Sequence, residues 1–163
     1  MKFEVVEQPN GWSKEVRKPE GINATKQQRY DYWVAFQDYA FQNQKFAKQF
    51  NRRKSSYDHW MNFSVSSSLC HLAVSQLQTR NELDVELYIN EDKSLFHTLE
   101  ENKESIEKES ELKFIWKELP DRKASRIIIE EKVDLNNRDK WQEQFDWLID
   151  TLLRMRKAFA KYL

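Results

Sequence analysis

Glu82–Ile89 reads E-L-D-V-E-L-Y-I, and the alternation in this stretch decides the fold class. Leu83, Val85, Leu87 and Ile89 fall on one side of an extended chain, with Glu82, Asp84, Glu86 and Tyr88 on the other. Successive side chains of a strand point to opposite faces, so this pattern predicts a strand with one face on a core and the other polar. After Asn90 the period lengthens. The residues from Asp92 to about Glu109 predict a helix that begins near Asp92 or Ser94 and turns Leu95, Phe96, Leu99 and Ile106 toward the sheet. Its other side carries Glu100, Glu101, Glu104, Glu107 and Glu109 among Lys93, Lys103 and Lys108. Glu and Lys at helical spacing form solvated i,i+4 pairs, and no chemistry is assigned to them.

Working upstream, Trp60–Val65 alternates Met61, Phe63 and Val65 against Asn62 and Ser64. Leu69–Leu77 alternates Cys70, Leu72 and Val74 against His71, Ala73 and Ser75. The short connections at Ser66–Ser68 and Gln78–Asn81 join these two strands and Glu82–Ile89 into an antiparallel meander. Further upstream, Thr25 with Gln28 three residues later predicts a capping box for a helix over Lys26–Phe50. That helix carries Tyr30, Trp33, Val34, Phe36, Ala40, Phe41 and Ala47, and its aromatics, at spacings of three and four, make a core-facing stripe. Residues 1–24 hold Pro9, Gly11, Pro19 and Gly21, four of the five Gly and Pro residues, and read as an extended arm. Lys2–Val6 is expected as a short strand within it, and Trp12 is expected to dock on the domain's own surface.

Downstream, Leu112–Trp116 and Ser125–Val133 predict a second hairpin, joined through Leu119, Pro120, Asp121, Arg122 and Lys123. Three consecutive isoleucines, Ile127 to Ile129, suggest a strand covered on both faces, hence central or flanked by helices. A last helix opens near Asn136 or Asn137, with Trp141, Phe145, Leu148, Leu152, Met155 and Phe159 on one stripe. The expected fold is therefore α+β. A largely antiparallel sheet of four to six strands packs against long N- and C-terminal helices, with one middle crossover helix. Residues 25–163 form a single domain after the arm.

Composition bounds the function. In 163 residues, 39% hydrophobic and 13% aromatic content supplies a core that a disordered chain would lack. A single cysteine, Cys70, excludes an intramolecular disulfide and a cysteine-based zinc cluster, and is expected as a small core residue. His59, His71 and His97 have no ligand spacing, and neither G-x-x-x-x-G-K nor G-x-G-x-x-G occurs. Glu4 and Glu7 interrupt the N-terminus where a signal peptide needs an apolar run, and no run is long enough to span a bilayer. A cytoplasmic location with no membrane partner follows as the expectation. Residues 1–81 carry 12 Lys/Arg and 7 Asp/Glu, and residues 82–163 carry 15 and 20, so a net charge of zero divides into halves of +5 and −5. Such a split permits phosphate steering by the basic half, or head-to-tail pairing of two copies as a homodimer or larger scaffold.

The basic half has one dense segment. Lys45, Lys48, Arg52, Arg53 and Lys54 occur with no acidic residue among them, and Phe50, Tyr57, His59 and Trp60 lie close by. Cations release counterions from a phosphate backbone and aromatic rings stack on bases, so these five residues are the candidate nucleic-acid contacts. The competing reading is a basic helix end that complements the helix dipole.

Several short marks carry a family resemblance: Tyr32-Trp33, Val85-Glu86-Leu87-Tyr88-Ile89, Ile106-Glu107, Trp116 ahead of Leu119-Pro120, Ser125-Arg126-Ile127, and Trp147-Leu148. Over about residues 26–163 the chain resembles an uncharacterised prokaryotic family of unknown function. The resemblance implies a module often carried C-terminal to predicted restriction-type or repair-type nuclease domains. Here only the short arm is expected ahead of the module, a departure from that arrangement. The implied role is an accessory, non-catalytic binding or interaction module of a DNA-processing or defence system, without a cofactor or metal. Its partner would be nucleic acid or a protein of the nuclease system.

One motif supports an alternative. Pro120-Asp121 followed by Glu130-Glu131-Lys132 spells P-D…E-x-K, the pattern of a metal-dependent nuclease. In that reading Asp121 and Glu130 hold Mg²⁺ or Mn²⁺ to activate water, and Lys132 supports the developing charge. A further carboxylate would have to come from Glu107 on the preceding helix. Pro-Asp is also an ordinary turn, and this reading stays beside the binding module as the enzymatic alternative.

Overall fold

A computed structural model describes residues 21–163, so the expected strand at Lys2–Val6 and the docking of Trp12 lie outside the described residues. Five strands form one antiparallel sheet: β1 (Trp60–Ser64), β2 (Cys70–Leu77), β3 (Glu82–Ile89), β4 (Ile115–Lys117) and β5 (Ser125–Lys132). Their order is β1-β2-β3-β5-β4, so β3 lies at the centre and β5 beside it. The β2–β3 connection is tight, a single 3₁₀ turn at Gln78–Arg80 closed by Asn81 at φ 48°. Asparagine tolerates this left-handed conformation better than most side chains. The expected meander is present, and Ile127 and Ile128 are buried on opposite faces of an interior strand.

Register sorts the sheet into two chemically distinct faces. Cys70 pairs with Ile89, Leu72 with Leu87, Val74 with Val85 and Leu87 with Ile127, which lines one face with apolar side chains. The opposite face carries His71 beside Tyr88, Ser75 beside Asp84, and Asp84 beside Glu130. The apolar cluster gathers Leu72, Val74, Leu83, Val85, Leu87, Ile89 and Ile127 with Trp33, Phe36, Phe96, Phe145 and Leu152 from the helices. Among the described residues, the helices draw their packing from this one side. The other side is the polar face.

Helix α1 (Ala24–Ala40) begins at Asn23, whose side chain accepts from the Lys26 amide at 2.9 Å, so the cap is Asn23 and Thr25 lies inside the first turn. The predicted single helix to Phe50 is interrupted. Asn43 accepts from the Phe46 amide with its side chain and starts α2 (Gln44–Gln49), the side-chain competition with helical hydrogen bonding that asparagine favours. The break folds Phe46 back so that its ring lies 5.2 Å from Phe41 and 6.1 Å from Phe36. The middle helix is likewise divided at Asn102, which donates to the Thr98 carbonyl and separates α3 (Lys93–Glu101) from α4 (Lys103–Ser110). Asp92 caps α3 as expected, accepting from Leu95.

The second hairpin is shorter than predicted. The Phe114 amide donates to the Glu107 carboxylate and so drops out of the ladder, leaving three residues in β4. At the other end the Val133 amide turns to the Asn81 carbonyl, and β5 ends at Lys132. Asn137 caps a 3₁₀ turn at Arg138–Lys140 that leads into α5 (Trp141–Ala160). Trp141, Phe145, Leu148, Leu152, Met155 and Phe159 all lie inward on α5, the stripe read from their spacing. No helix among the described residues is long and apolar enough to cross a membrane.

Candidate functional site

The polar face of the sheet concentrates the groups with chemistry to offer, and it divides into an aromatic–basic groove and an acidic cluster. The groove has a volume of about 400 Å³ and is walled by His59, Trp60, His71, Tyr88, Arg122 and Arg126. Neighbouring strands place His71 opposite Tyr88, and their rings stack at 5.2 Å with planes 26° apart. Burial lowers the pKa of His71, Glu86 opposes that, and the Arg53 guanidinium lowers it again, so the stacked ring is neutral at pH 7. Trp60 is 43% exposed on edge strand β1, with His59 edge-on at 4.9 Å. Arg126 binds Glu86 through two hydrogen bonds of 2.8 and 2.6 Å, the diagonal cross-strand pairing that register permits. That guanidinium is committed to building the wall. Arg122, in the turn before β5, is exposed at the rim.

The five basic residues named from sequence are all exposed, yet they do different things. Lys45 and Lys48 stand on the solvent side of α2, whose inner side is Phe46. Arg52 is drawn to α1, 3.2 Å from Asp38 and over the Phe41 ring at 5.3 Å. Arg53 has its backbone clamped by the buried Gln37, which accepts from its amide and donates to its carbonyl, both at 2.7 Å. The clamp leaves the Arg53 side chain exposed, and its charge is among those that lower the pKa of His71, a residue of the groove wall. Lys54 follows, exposed, in the loop toward β1. Of the five, Arg53 is the one that the fold ties electrostatically to the groove.

At the β2–β3 turn end of the polar face, Glu82 and Asp84 of β3 meet Glu130 of β5, with one carboxylate oxygen from each within 4.8 Å of the others. Arg80 reaches Glu82 at 2.5 Å and Glu130 at 3.8 Å, and Lys132 reaches Glu82 at 3.0 Å. Asp84 receives none of this. It is 5% exposed, and its Oδ1 has no hydrogen-bond donor. Burial pushes the Asp84 carboxyl up, and the neighbouring carboxylates Glu82 and Glu130 add to the shift. Glu82 moves the other way, held low by a hydrogen bond from Asp84 and by Lys132 and Arg80.

The trio of the nuclease motif is not brought together. Asp121 is exposed in the turn between β4 and β5, while Glu130 and Lys132 lie near the far end of β5. Ser125 to Glu130 alone spans about 16 Å of strand. Glu107 is occupied elsewhere, accepting from the Phe114 amide at 2.9 Å and the Trp116 indole at 3.1 Å. Burial would raise its pKa, and those two donors outweigh it and hold the carboxylate low. Cys70 is buried in the core, where burial pushes its thiol up to about 11, away from nucleophilic use.

The residues that sequence reasoning missed are Glu82 and Asp84. They stood in the first stretch read, as the solvent side of a strand. The signal lay in their i,i+2 spacing opposite Glu130, which becomes visible only with the β3–β5 register. No curated protein and no solved structure matches the chain. Residues 28–163 match the family model of DUF4268, a domain of unknown function. The chain belongs to that family.

Proposed function

We propose that this protein is a non-catalytic nucleic-acid-binding module, acting as an accessory part of a DNA-processing or defence system. The observation that carries the reading is the groove on the polar face, where exposed aromatic rings and cationic side chains converge in one place. Trp60 and Tyr88 offer faces on which bases can stack, while Arg122 and the neighbouring Arg53 offer phosphate contacts. Lys45, Lys48, Arg52 and Lys54 extend the basic character along the loop and short helix leading into β1. The link to DNA processing rests on the family resemblance and on no residue in particular.

Fluorescence anisotropy with labelled single-stranded and duplex DNA tests the reading. Binding is expected to weaken with salt, and each phosphate contact removed should reduce the slope of log K against log salt by about 0.7 to 0.9. The pair Arg53→Glu and Arg122→Glu should abolish binding at moderate salt. Trp60→Ala should cost about 1 to 3 kcal/mol on single strands, the value of one lost stack. No salt-sensitive binding to either form, or binding indifferent to all three substitutions, would overturn the proposal.

A further inference from the structure

We propose that Glu82, Asp84 and Glu130 form a binding site for one hard divalent cation, Mg²⁺ or Mn²⁺, at the edge of the groove. The inference does not depend on what the groove binds. Three carboxylates from two adjacent strands converge to within 4.8 Å, and all three are the hard oxygen donors such ions select. An acidic cluster alone would mean little, since exposed carboxylates gather without a ligand. The distinguishing feature is Asp84: its side chain is buried and its Oδ1 has no donor. An oxygen in that position ordinarily has an N–H, a water or a cation as its partner.

The local cations do not meet this need. Arg80 and Lys132 reach the two oxygens of Glu82, at 2.5 and 3.0 Å. Arg80 stands 3.8 Å from Glu130. Three carboxylates thus face two side-chain cations, both of which contact the still more buried Glu82, and the uncompensated charge falls on Asp84. The groups facing Asp84 among the described residues are Glu82 on its own strand, Glu130 and Lys132 on β5, and Arg80 in the preceding turn. Arg126 lies further along β5. A cation that takes one oxygen each from Asp84, Glu130 and Glu82 leaves the Arg80 and Lys132 contacts with Glu82 intact, because each carboxylate oxygen has a second lone pair. Three protein oxygens leave the other positions of an octahedral ion to water, as Mg²⁺ and Mn²⁺ prefer. Ser75, the cross-strand partner of Asp84, lines the groove, so the ion would border it. The competing arrangement is a proton on Asp84 donated to Glu82, which the raised pKa of Asp84 reflects. A proton and a metal ion cannot both occupy that oxygen, so the two arrangements are separable.

The test is a Mn²⁺ titration of the full chain, following free Mn²⁺ by electron paramagnetic resonance above neutral pH. One Mn²⁺ per chain is expected, competed by Mg²⁺. Affinity should fall by about tenfold or more in Asp84→Asn and in Glu130→Gln. Glu131→Gln, whose side chain leaves β5 toward the opposite face, should bind as the wild type does. The exposed Glu130 keeps the test open should Asp84→Asn fold poorly. Absence of binding at millimolar Mn²⁺, or binding unchanged in both Asp84→Asn and Glu130→Gln, would overturn the site and leave the proton-sharing pair.

Discussion

Asp84 illustrates how one residue on a polar strand face can carry stability information that its neighbours hide. Its folded pKa, raised to about 7, lies above its unfolded value of 3.8, so between these values the folded state holds a proton that the unfolded state has released. Stability from this residue is fully present below the unfolded pKa and is lost as pH rises through the folded one. Glu82 acts in the opposite sense, but its loss falls lower, as pH drops below the ordinary glutamate range. In chelator, thermal unfolding should therefore show a midpoint that declines from about pH 5 to about pH 7 and then levels, and Asp84→Asn should flatten that decline. A second residue makes a simpler point. Thr151 is buried on α5 with its hydroxyl unpartnered, so Thr151→Val, which keeps the shape, should stabilise the fold by up to about 1 kcal/mol in denaturant titrations.

At the scale of elements, two polar side chains hold the loops that frame the groove. Gln37 on α1 binds both backbone groups of Arg53 and the Ser55 hydroxyl. Gln37→Leu would leave those backbone groups without partners, and a loss of about 2 kcal/mol is expected in urea unfolding, together with weaker DNA binding as Arg53 loses its position. Lys93 on α3 sends its ammonium to the carbonyls of Glu118, Leu119 and Ala124 and to the Ser125 hydroxyl, fixing the turn that presents Arg122. Lys93→Met should cost about 2 kcal/mol by the same measurement.

The elements also show what was legible in the sequence. Strand alternation and the α5 stripe were plain, because both depend on short-range periodicity and burial. The breaks at Asn43 and Asn102 were not, since each depends on a side chain choosing a local backbone partner over the helix. The shortened β4 was hidden for a related reason: the Phe114 amide pairs with Glu107, seven residues earlier, instead of with β5. The groove was half legible. Its basic segment was visible, but Arg122, His71 and Tyr88 join it only through strand order. The acidic cluster was invisible until the β3–β5 register was known, and the P-D…E-x-K pattern gave no sign that Asp121 sits in the turn while Glu130 and Lys132 lie at the other end of β5.

Across the whole molecule, a formal charge of zero conceals local fields that the fold creates by interleaving the two halves of the chain. Basic-half strands β1 and β2 and acidic-half strands β3, β5 and β4 share one sheet, so the +5 and −5 halves are not two opposed faces. This arrangement weakens the basis for head-to-tail pairing through charge. Sedimentation velocity should give the same coefficient at low and high salt. A coefficient that falls as salt is added would restore the homo-oligomeric scaffold.

The central position of β3 has a kinetic consequence. The β1–β2–β3 meander closes through short turns, whereas β3 and β5 unite partners 36 to 50 residues apart. Closing that larger loop costs more chain entropy before any ladder bond compensates, so the β5 side of the sheet should join late in folding. Every feature that depends on both strands, including the Glu86–Arg126 pair and the Glu130 side of the cluster, would then be absent from the first-formed structure. In pulsed hydrogen exchange during refolding, β2 amides should gain protection before those of β5. The polar face would thus take on its ligand chemistry only in the last step that makes the molecule whole.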